Sequence, residues 1–231
     1  MIGFYDYTVW LTYLSLISAV VGIFVAQSGP GHPYIAAIFL LFSGLCDAFD
    51  GIVARSKKDR TPRGKRYGIQ IDSLTDLVAF GVLPACIGAA LYKTAQLYET
   101  APKETALVAA VPYPVYVAVF VLYILAAMIR LAYFNVNAEE CCEAETAVKS
   151  YTGLPVTSSA LIIPAFLLLR HLLGHDIAIF YYGVMLLMAG LFVSRFSIRK
   201  PGVRGVMMMV AFGILEFILI LVVKYYGARA F

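Results

Sequence analysis

The sequence predicts an all-α, polytopic transmembrane helical bundle, and three features support this prediction: an apolar composition, apolar runs of membrane-spanning length, and turn residues between the runs. Of the 231 residues, 61% are hydrophobic and 14% are charged, whereas soluble domains are about half apolar and a quarter charged. Several runs are about 20 residues long, which is the length that a helix needs to cross a bilayer core. We therefore expect a single integral membrane domain over residues 1–231, surrounded by membrane lipids and without a nucleic-acid partner.

Seven membrane spans are predicted, and turn or helix-stop residues separate them. The spans cover residues 8–27, 34–54, 70–93, 113–135, 155–173, 178–196 and 206–226. No Lys or Arg precedes the first span, and no small-residue cleavage site follows it. Because a cleaved signal peptide has a basic leader, we expect this first span to be retained.

Lys and Arg residues are concentrated in two loops, which predicts the orientation of the chain. Seven lie between Arg55 and Arg66 and four between Arg195 and Arg204, whereas five are spread over the opposite loops and ends. Basic loops stay on the cytoplasmic side of a membrane. We therefore expect both loops and the N-terminus to face the cytosol, in a cell (inner) membrane. Setting the topology is the simplest role of these basic residues.

Four aspartates lie at the predicted cytoplasmic ends of two apolar spans. Asp47 and Asp50 end the second span, and Asp72 and Asp76 begin the third. Spacings of three and four residues place each pair on one helix face. A carboxylate at membrane depth costs about 2.5–3.5 kcal/mol on insertion scales, and like charges at such short distances repel each other. Positive charge must therefore balance these carboxylates where the second span ends and the third begins.

Divalent cations compensate this charge most simply, since two of them balance four carboxylates. Oxygen ligands suit Mg²⁺ or Mn²⁺ better than zinc. An arginine partner is the alternative, and it explains one acid more readily than four. Gly51 follows Asp50 directly, where a missing side chain allows a ligand to approach closely, and Arg55 is suited to bind a phosphate. Together these residues indicate phosphoryl chemistry at a membrane surface.

Two segments resemble the signature of the CDP-alcohol phosphatidyltransferase family: Asp47-x2-Asp50-Gly51-x2-Ala54-Arg55 and Gly68-x3-Asp72-x3-Asp76. Eight matched residues in order are far more specific than a single glycine motif. Twelve residues separate Arg55 from Gly68, which is more than the usual spacer of the family. We expect the additional polar stretch from Lys57 to Lys65 to form a cytosolic loop.

The resemblance implies a six-helix core, here with an additional C-terminal span, and a homodimer. It also implies that the four aspartates hold two divalent ions, Mg²⁺ or Mn²⁺, and that Asp76 is also the catalytic base. The implied CDP-binding residues are Gly51, Ala54, Arg55 and Gly68. The donor would then be CDP-diacylglycerol, which an alcohol attacks at the membrane–cytosol boundary with CMP as the leaving group.

Three further segments resemble the branch of this family that uses L-serine as the alcohol. They are Asp72 to Ala85, Arg130 to Asn135, and Gly153-Leu154-Pro155. The implied acceptor pocket contains Phe80, Arg130 and Asn135, with Arg130 bound to the serine carboxylate or to the donor phosphate.

Structural interpretations of the same segments stay open. Phe80, Gly81 and Pro84 are also suited to shape a kinked, packed helix. The Gly-Leu-Pro segment is typical of a helix start, and Arg130 could extend to the membrane interface.

Two other kinds of function also stay open. A related enzyme would use glycerol 3-phosphate or an inositol phosphate as the acceptor, or an ether-linked lipid as the donor. A phosphorylated acceptor requires more basic residues in the pocket than Arg130 alone. A divalent-cation transporter would also carry acids within the membrane, but it would place them nearer the bilayer midplane.

Overall fold

The structure, a computed structural model, describes residues 3, 5–29, 31–57, 59, 61–97, 111–143, 150–173, 178–199 and 202–227. Most of this part of the chain is helical. The helices are α1 Trp10–Gln27, α2 Pro33–Ser56, α3 Pro62–Asp76, α4 Leu83–Leu97, α5 Tyr113–Glu143, α6 Ser159–Leu173, α7 Ala178–Val193 and α8 Val203–Gly227. A π-helical segment, Leu77–Val82, joins α3 to α4 without a break.

Two shorter kinds of element complete the described secondary structure. Single 3₁₀ turns, Tyr7–Val9 and Val156–Ser158, precede α1 and α6. The strands β1, Ser150–Thr152, and β2, Ser197–Arg199, pair antiparallel and tie the segment before α6 to the segment after α7.

The all-α fold class is confirmed, and each of the seven predicted spans coincides with a helix. Five helical stretches are long and apolar enough to cross a membrane: Tyr7–Gln27, Pro33–Ala54, Pro62–Thr94, Tyr113–Asn137 and Arg204–Val223. The fifth and sixth spans correspond to shorter apolar helices, Val156–Leu169 and Ile179–Val193. The chain is thus a multi-pass membrane protein.

The predicted cytosolic loop from Lys57 to Lys65 is wrong over its second half, because α3 begins at Pro62 and not near residue 70. Thr61 caps this start: its Oγ1 accepts a hydrogen bond from the N–H of Gly64 at 3.1 Å. Proline is favoured at the first position of a helix, where its missing N–H has no partner to lose. The local capping chemistry therefore overrides the polar composition that suggested a loop.

Small and hydroxylic residues join α1 to α2. Ser15 Oγ donates to the carbonyl of Ser43 at 3.3 Å, and Ser43 Oγ donates back to the carbonyl of Ser15 at 3.1 Å. A Cβ added at Gly22 would lie 2.9 Å from the Cβ of Phe39, so the two helices approach closely there. Small residues and interhelical hydrogen bonds are the usual means of helix association in lipid. This hairpin holds the end of α2 in place.

The last helix, α8, packs against α2 and α6 on one side only. Glu216 and Ile220 are buried on that side, while most of its large apolar side chains are exposed. Exposed apolar side chains suit a helix that faces lipid tails. α8 thus forms part of the outer surface of the bundle and supports the helix that carries Asp47 and Asp50.

Candidate active site

Three carboxylates from two helices converge at one end of the bundle. Asp47 and Asp50 lie on the last turns of α2, and Asp72 lies near the end of α3. One oxygen of each lies within 4.8 Å of the others, and all three side chains are half-buried. Three of the four aspartates that were predicted to lie together therefore do so in the structure.

The chemistry of this group fits a hard divalent cation. Oxygens of Asp50 and Asp72 lie within 4.8 Å of each other, which is unfavourable for two unscreened negative charges. Mg²⁺ binds oxygen atoms at about 2.0–2.1 Å in an octahedron, so two oxygens on one ion lie about 3–4 Å apart, and the three carboxylate oxygens lie within 4.8 Å of one another. Thr12 of α1 also donates from Oγ1 to Asp50 Oδ2 at 3.4 Å, which orients that carboxylate.

Asp76 is placed differently from the other three aspartates. It ends α3, one turn after Asp72, and its side chain is only 8% exposed. It is not part of the close group of three, but it is near enough to interact electrostatically with each of them. A buried acid beside a cation site can serve both as a ligand and as a proton acceptor.

The four predicted CDP-binding residues are close in sequence to the aspartates, on the same two helices. Gly51, Ala54 and Arg55 lie on the last turns of α2, and Gly68 lies on α3, four residues before Asp72. Gly51, Ala54 and Gly68 are half-buried, while the side chain of Arg55 lies outside the described part of the structure.

The N-terminal turn is tied to the chain just after α2. Lys57 Nζ forms an ion pair with Asp6 Oδ2 at 2.9 Å, and Thr8 donates to Asp6 from its backbone N–H at 3.0 Å and from its hydroxyl. The hydrogen bonds from Thr8 and Lys57 lower the pKa of Asp6 to about 2. Asp6 is therefore ionised at neutral pH, and this ion pair weakens only as the pH falls towards that value.

The residues predicted for the acceptor pocket do not all lie together. Asn135 of α5 contacts α3, because Ser73 Oγ, on the residue after Asp72, donates to its Oδ1 at 2.6 Å. Arg130 is only 6% exposed, and its Cζ lies 5.6 Å from the centre of the Phe134 ring. The interpretation of Arg130 as a side chain that extends to the membrane interface does not fit this burial. The ring of Phe80 is fully buried in the core.

Arg130 lines a cavity of about 530 Å³ between α5 and the end of α7. This α5–α7 cavity is lined by Ile129, Arg130, Tyr133, Phe192, Val193, Ser194 and Arg195. Arg130 and Arg195 favour a ligand that carries negative charge, while the Ser194 hydroxyl already donates to the carbonyl of Gly190 at 2.6 Å. Phe80 and Asn135 are not among its lining residues.

Gly153 holds the segment before α6 against the end of α7. Its φ is +75°, and a Cβ there would lie 2.8 Å from the carbonyl oxygen of Phe192. Its N–H donates to the carbonyl of Phe196 at 2.7 Å. The Gly-Leu-Pro segment is therefore a helix start, as its structural interpretation predicted, and it also fixes the chain that lines the α5–α7 cavity.

Replacing Gly153 by alanine is expected to destabilise the protein by about 1–3 kcal/mol, because alanine is strained at this φ. The measurement is thermal unfolding in detergent. Gly183→Ala is the matched control, since a Cβ at Gly183 would meet nothing within 4 Å. Equal stability of the two variants would contradict the close packing described at Gly153.

Four residues with contacts at the site were not singled out from the sequence: Thr12, Ser73, Ser194 and Arg195. Thr12 and Ser73 lie in helices, where hydroxylic residues commonly bond to their own backbone. No sequence pattern marks them. Arg195 was interpreted only as a residue that sets the topology. Its nearness to Arg130 and to the Gly153 segment arises from the fold, and the local sequence does not indicate it.

These features define an integral membrane protein with a cluster of three carboxylates, suited to a metal ion, at one end of its helices. The chain belongs to the CDP-alcohol phosphatidyltransferase family, whose model matches residues 8–223. It is thus a transferase of phospholipid biosynthesis, and the resemblance found in the two acidic segments is confirmed.

Named relatives of the chain have modest identity to it. The CDP-diacylglycerol–serine O-phosphatidyltransferase of Helicobacter pylori is 28% identical over 199 residues, covering 84% of this chain and 71% of that protein. The archaetidylserine synthase of Methanothermobacter thermautotrophicus is 29% identical over 195 residues, covering 83% and 69%. The CDP-diacylglycerol–serine O-phosphatidyltransferase of Saccharomyces cerevisiae is 32% identical over 140 residues, covering 59% and 43%. No solved structure matches the chain.

Proposed function

We propose that this chain transfers the phosphatidyl group of CDP-diacylglycerol to L-serine, which yields phosphatidylserine and CMP. The observation that carries the proposal is the convergence of Asp47, Asp50 and Asp72 in a member of this family. The names of the three relatives above all specify serine or a serine lipid. The whole chain, residues 1–231, acts as one membrane domain in this proposal.

Two divalent ions, Mg²⁺ or Mn²⁺, are the proposed cofactors. Their proposed ligands are Asp47, Asp50, Asp72 and Asp76. When bound, such ions supply positive charge that stabilises the phosphate oxygens of the donor. The proposed contacts with the CDP group are Gly51, Ala54, Arg55 and Gly68. An arginine at this place adds a further charge-assisted hydrogen bond to a phosphate.

Asp76 is the proposed general base. It takes the proton of the serine hydroxyl while the hydroxyl oxygen forms a bond to the lipid-side phosphorus. The bond between that phosphorus and the oxygen of CMP breaks, and its electron pair leaves with CMP. Burial of Asp76 supports this role, because a base that is shielded from water transfers a proton to or from its substrate without competition from solvent.

Arg130 and Asn135 are the proposed acceptor contacts. The buried guanidinium of Arg130 at the α5–α7 cavity is suited to the serine carboxylate. Asn135 accepts a hydrogen bond from Ser73 of α3, the helix that carries Asp72, and its amide is suited to the hydroxyl or ammonium end of serine. Phe80 remains a proposed member of this pocket, in which its fully buried ring would contribute packing from the core.

An ether-linked donor is a second candidate, because one relative is an archaetidylserine synthase. Glycerol 3-phosphate and inositol phosphate are less well supported as acceptors, since none of the three relatives is named for them. Membership of a transferase family argues against a cation transporter.

The test is CMP release by the purified protein with CDP-diacylglycerol, Mn²⁺ or Mg²⁺, and one alcohol at a time. We expect release with serine, loss of release with EDTA, and little release with ethanolamine. A site that binds a carboxylate rejects an analogue without one by about 10⁴-fold, because its own polar groups are left unpaired. A preference for glycerol 3-phosphate or inositol phosphate would overturn the serine proposal. Parallel reactions with an ether-linked CDP lipid distinguish the two donors.

We propose that the protein is a homodimer in the cell (inner) membrane. Its carboxylates face the cytosol in this proposal. The basic loops support this orientation. An impermeant label at Lys58 or Lys200 should react only from the cytosolic side, and reaction from outside intact cells would reverse the orientation.

A further inference from the structure

Pro84 removes a hydrogen-bond donor from the helix that follows Asp76. A proline has no N–H, and its ring also clashes with the carbonyl four residues earlier, which here belongs to Phe80. The backbone responds by forming the π-helical segment Leu77–Val82, in which the N–H of Leu83 donates to the carbonyl of Val78, five residues back. This segment begins at the residue after Asp76.

Two hydroxyl groups from other helices replace the missing donor. Tyr123 of α5 donates from Oη to the carbonyl oxygen of Phe80 at 2.8 Å, and Ser159 of α6 donates from Oγ to the same oxygen at 3.3 Å. Phe80, Tyr123 and Ser159 are each 0% exposed. A buried carbonyl without a partner is costly, so both hydroxyls stabilise the π-helical segment.

The π-helical segment changes the direction in which α3 faces. One additional residue in a turn rotates the helix before it by about 100° relative to the helix after it. α4 is packed into the bundle through Ala85, Ile87 and Leu91, all buried. Because α4 is held in this way, the rotation is passed to α3, which carries Asp72 and Asp76. Isolated π-turns within α-helices are frequently found at functional sites.

We propose that Pro84, Tyr123 and Ser159 are positioning residues that set the rotation of Asp72 and Asp76 towards Asp47 and Asp50. This inference rests on the proposed function, since it assumes that these aspartates bind the cations. In a continuous α-helix the same sequence would turn one or both acids away from α2. Phe80 and its neighbours therefore shape a helix, and the shape serves the cation site.

The test is Pro84→Ala, which returns an N–H to the Phe80 carbonyl and permits a regular α-helix. We expect a melting temperature without metal that is no lower than that of the unchanged protein. We also expect the Mn²⁺ concentration for half-maximal thermal stabilisation to rise by about tenfold or more, since small displacements of catalytic groups have large effects. This measurement uses no substrate. A purely structural role would give the opposite result, a lower melting temperature with the same Mn²⁺ dependence.

Pro164→Ala is the matched control, because Pro164 also lies inside an apolar helix, α6, whose sequence contains no acid. Its Mn²⁺ dependence should not change. Should Pro84→Ala fail to fold, Tyr123→Phe gives the second measurement, in which loss of one hydroxyl should raise the Mn²⁺ concentration in the same direction. An unchanged Mn²⁺ dependence in the folded variants overturns the inference.

Asp72→Asn in the same assay separates this inference from the proposed function. Loss of Mn²⁺ stabilisation in Asp72→Asn together with normal Mn²⁺ dependence in Pro84→Ala would overturn only the role of Pro84. Normal Mn²⁺ stabilisation in Asp72→Asn would overturn the cation site itself.

Discussion

CMP release is expected to fall by about 10³-fold or more when Asp47, Asp50 or Asp72 is replaced by asparagine, because each change removes charge that the transition state requires. Asparagine keeps the size of the side chain and one oxygen, so the helices should still assemble. Asp76→Asn should lose turnover to a similar extent but retain more Mn²⁺ binding, since its proposed additional role is proton removal. The measurements are CMP release and Mn²⁺-dependent thermal stabilisation on the same preparations.

Asp6→Asn is the control for these variants. Asp6 is an acid at the same end of the bundle, but it pairs with Lys57 and not with the carboxylate group. Exposed ion pairs contribute about 0–1 kcal/mol, so this variant should keep its activity. Normal rates for Asp47→Asn, Asp50→Asn or Asp72→Asn at saturating Mn²⁺ would show that the carboxylate group is not the cation site.

The second large effect is expected at Arg130. Arg130→Ala should raise the KM for serine by about 10²-fold, because hydrogen bonds between charged groups contribute about 1.5–3 kcal/mol each and more than one is lost. The affinity for the CDP lipid should stay nearly the same. Arg130→Lys should recover part of the affinity for serine, since it restores the charge without the planar guanidinium.

Arg204→Ala is the control for Arg130, because Arg204 is exposed and lies outside the α5–α7 cavity. KM values for serine and for the CDP lipid, measured separately for all three variants, decide the assignment. Loss of CDP-lipid binding in Arg130→Ala would assign this arginine to the donor phosphate instead.

The sequence was sufficient to predict the helices and the acids for a simple physical reason. Apolar runs of membrane-spanning length have few alternative structures in lipid, and carboxylates such as Asp47 and Asp72 are too unfavourable there to occur without a compensating role. The apolar runs and the carboxylates within them are both visible in short stretches of the chain, so they can be read from one sequence.

Other features depend on contacts between distant segments and were not predictable in this way. The start of α3 at Pro62 is not one of them, because its cap at Thr61 is local and was outweighed by the polar composition of that segment. The contact of Arg130 and Arg195 with one cavity requires α5 and the end of α7 to meet. Hydropathy and residue spacing do not determine how a helix is rotated about its axis, or that α5 and the end of α7 meet. The α5–α7 cavity and the rotation of α3 are therefore seen only in the folded structure.

The helical start of α3 has an electrostatic consequence. Arg63, Lys65 and Arg66 are exposed on a helix, where each residue advances the chain by about 1.5 Å, so Arg66 lies about 9 Å along the axis from Asp72. Salt at physiological ionic strength screens charges over about 8 Å. This separation is slightly more than the screening length, so a rigid helix leaves Arg66 with about a third of its unscreened attraction for an anionic lipid at the carboxylates.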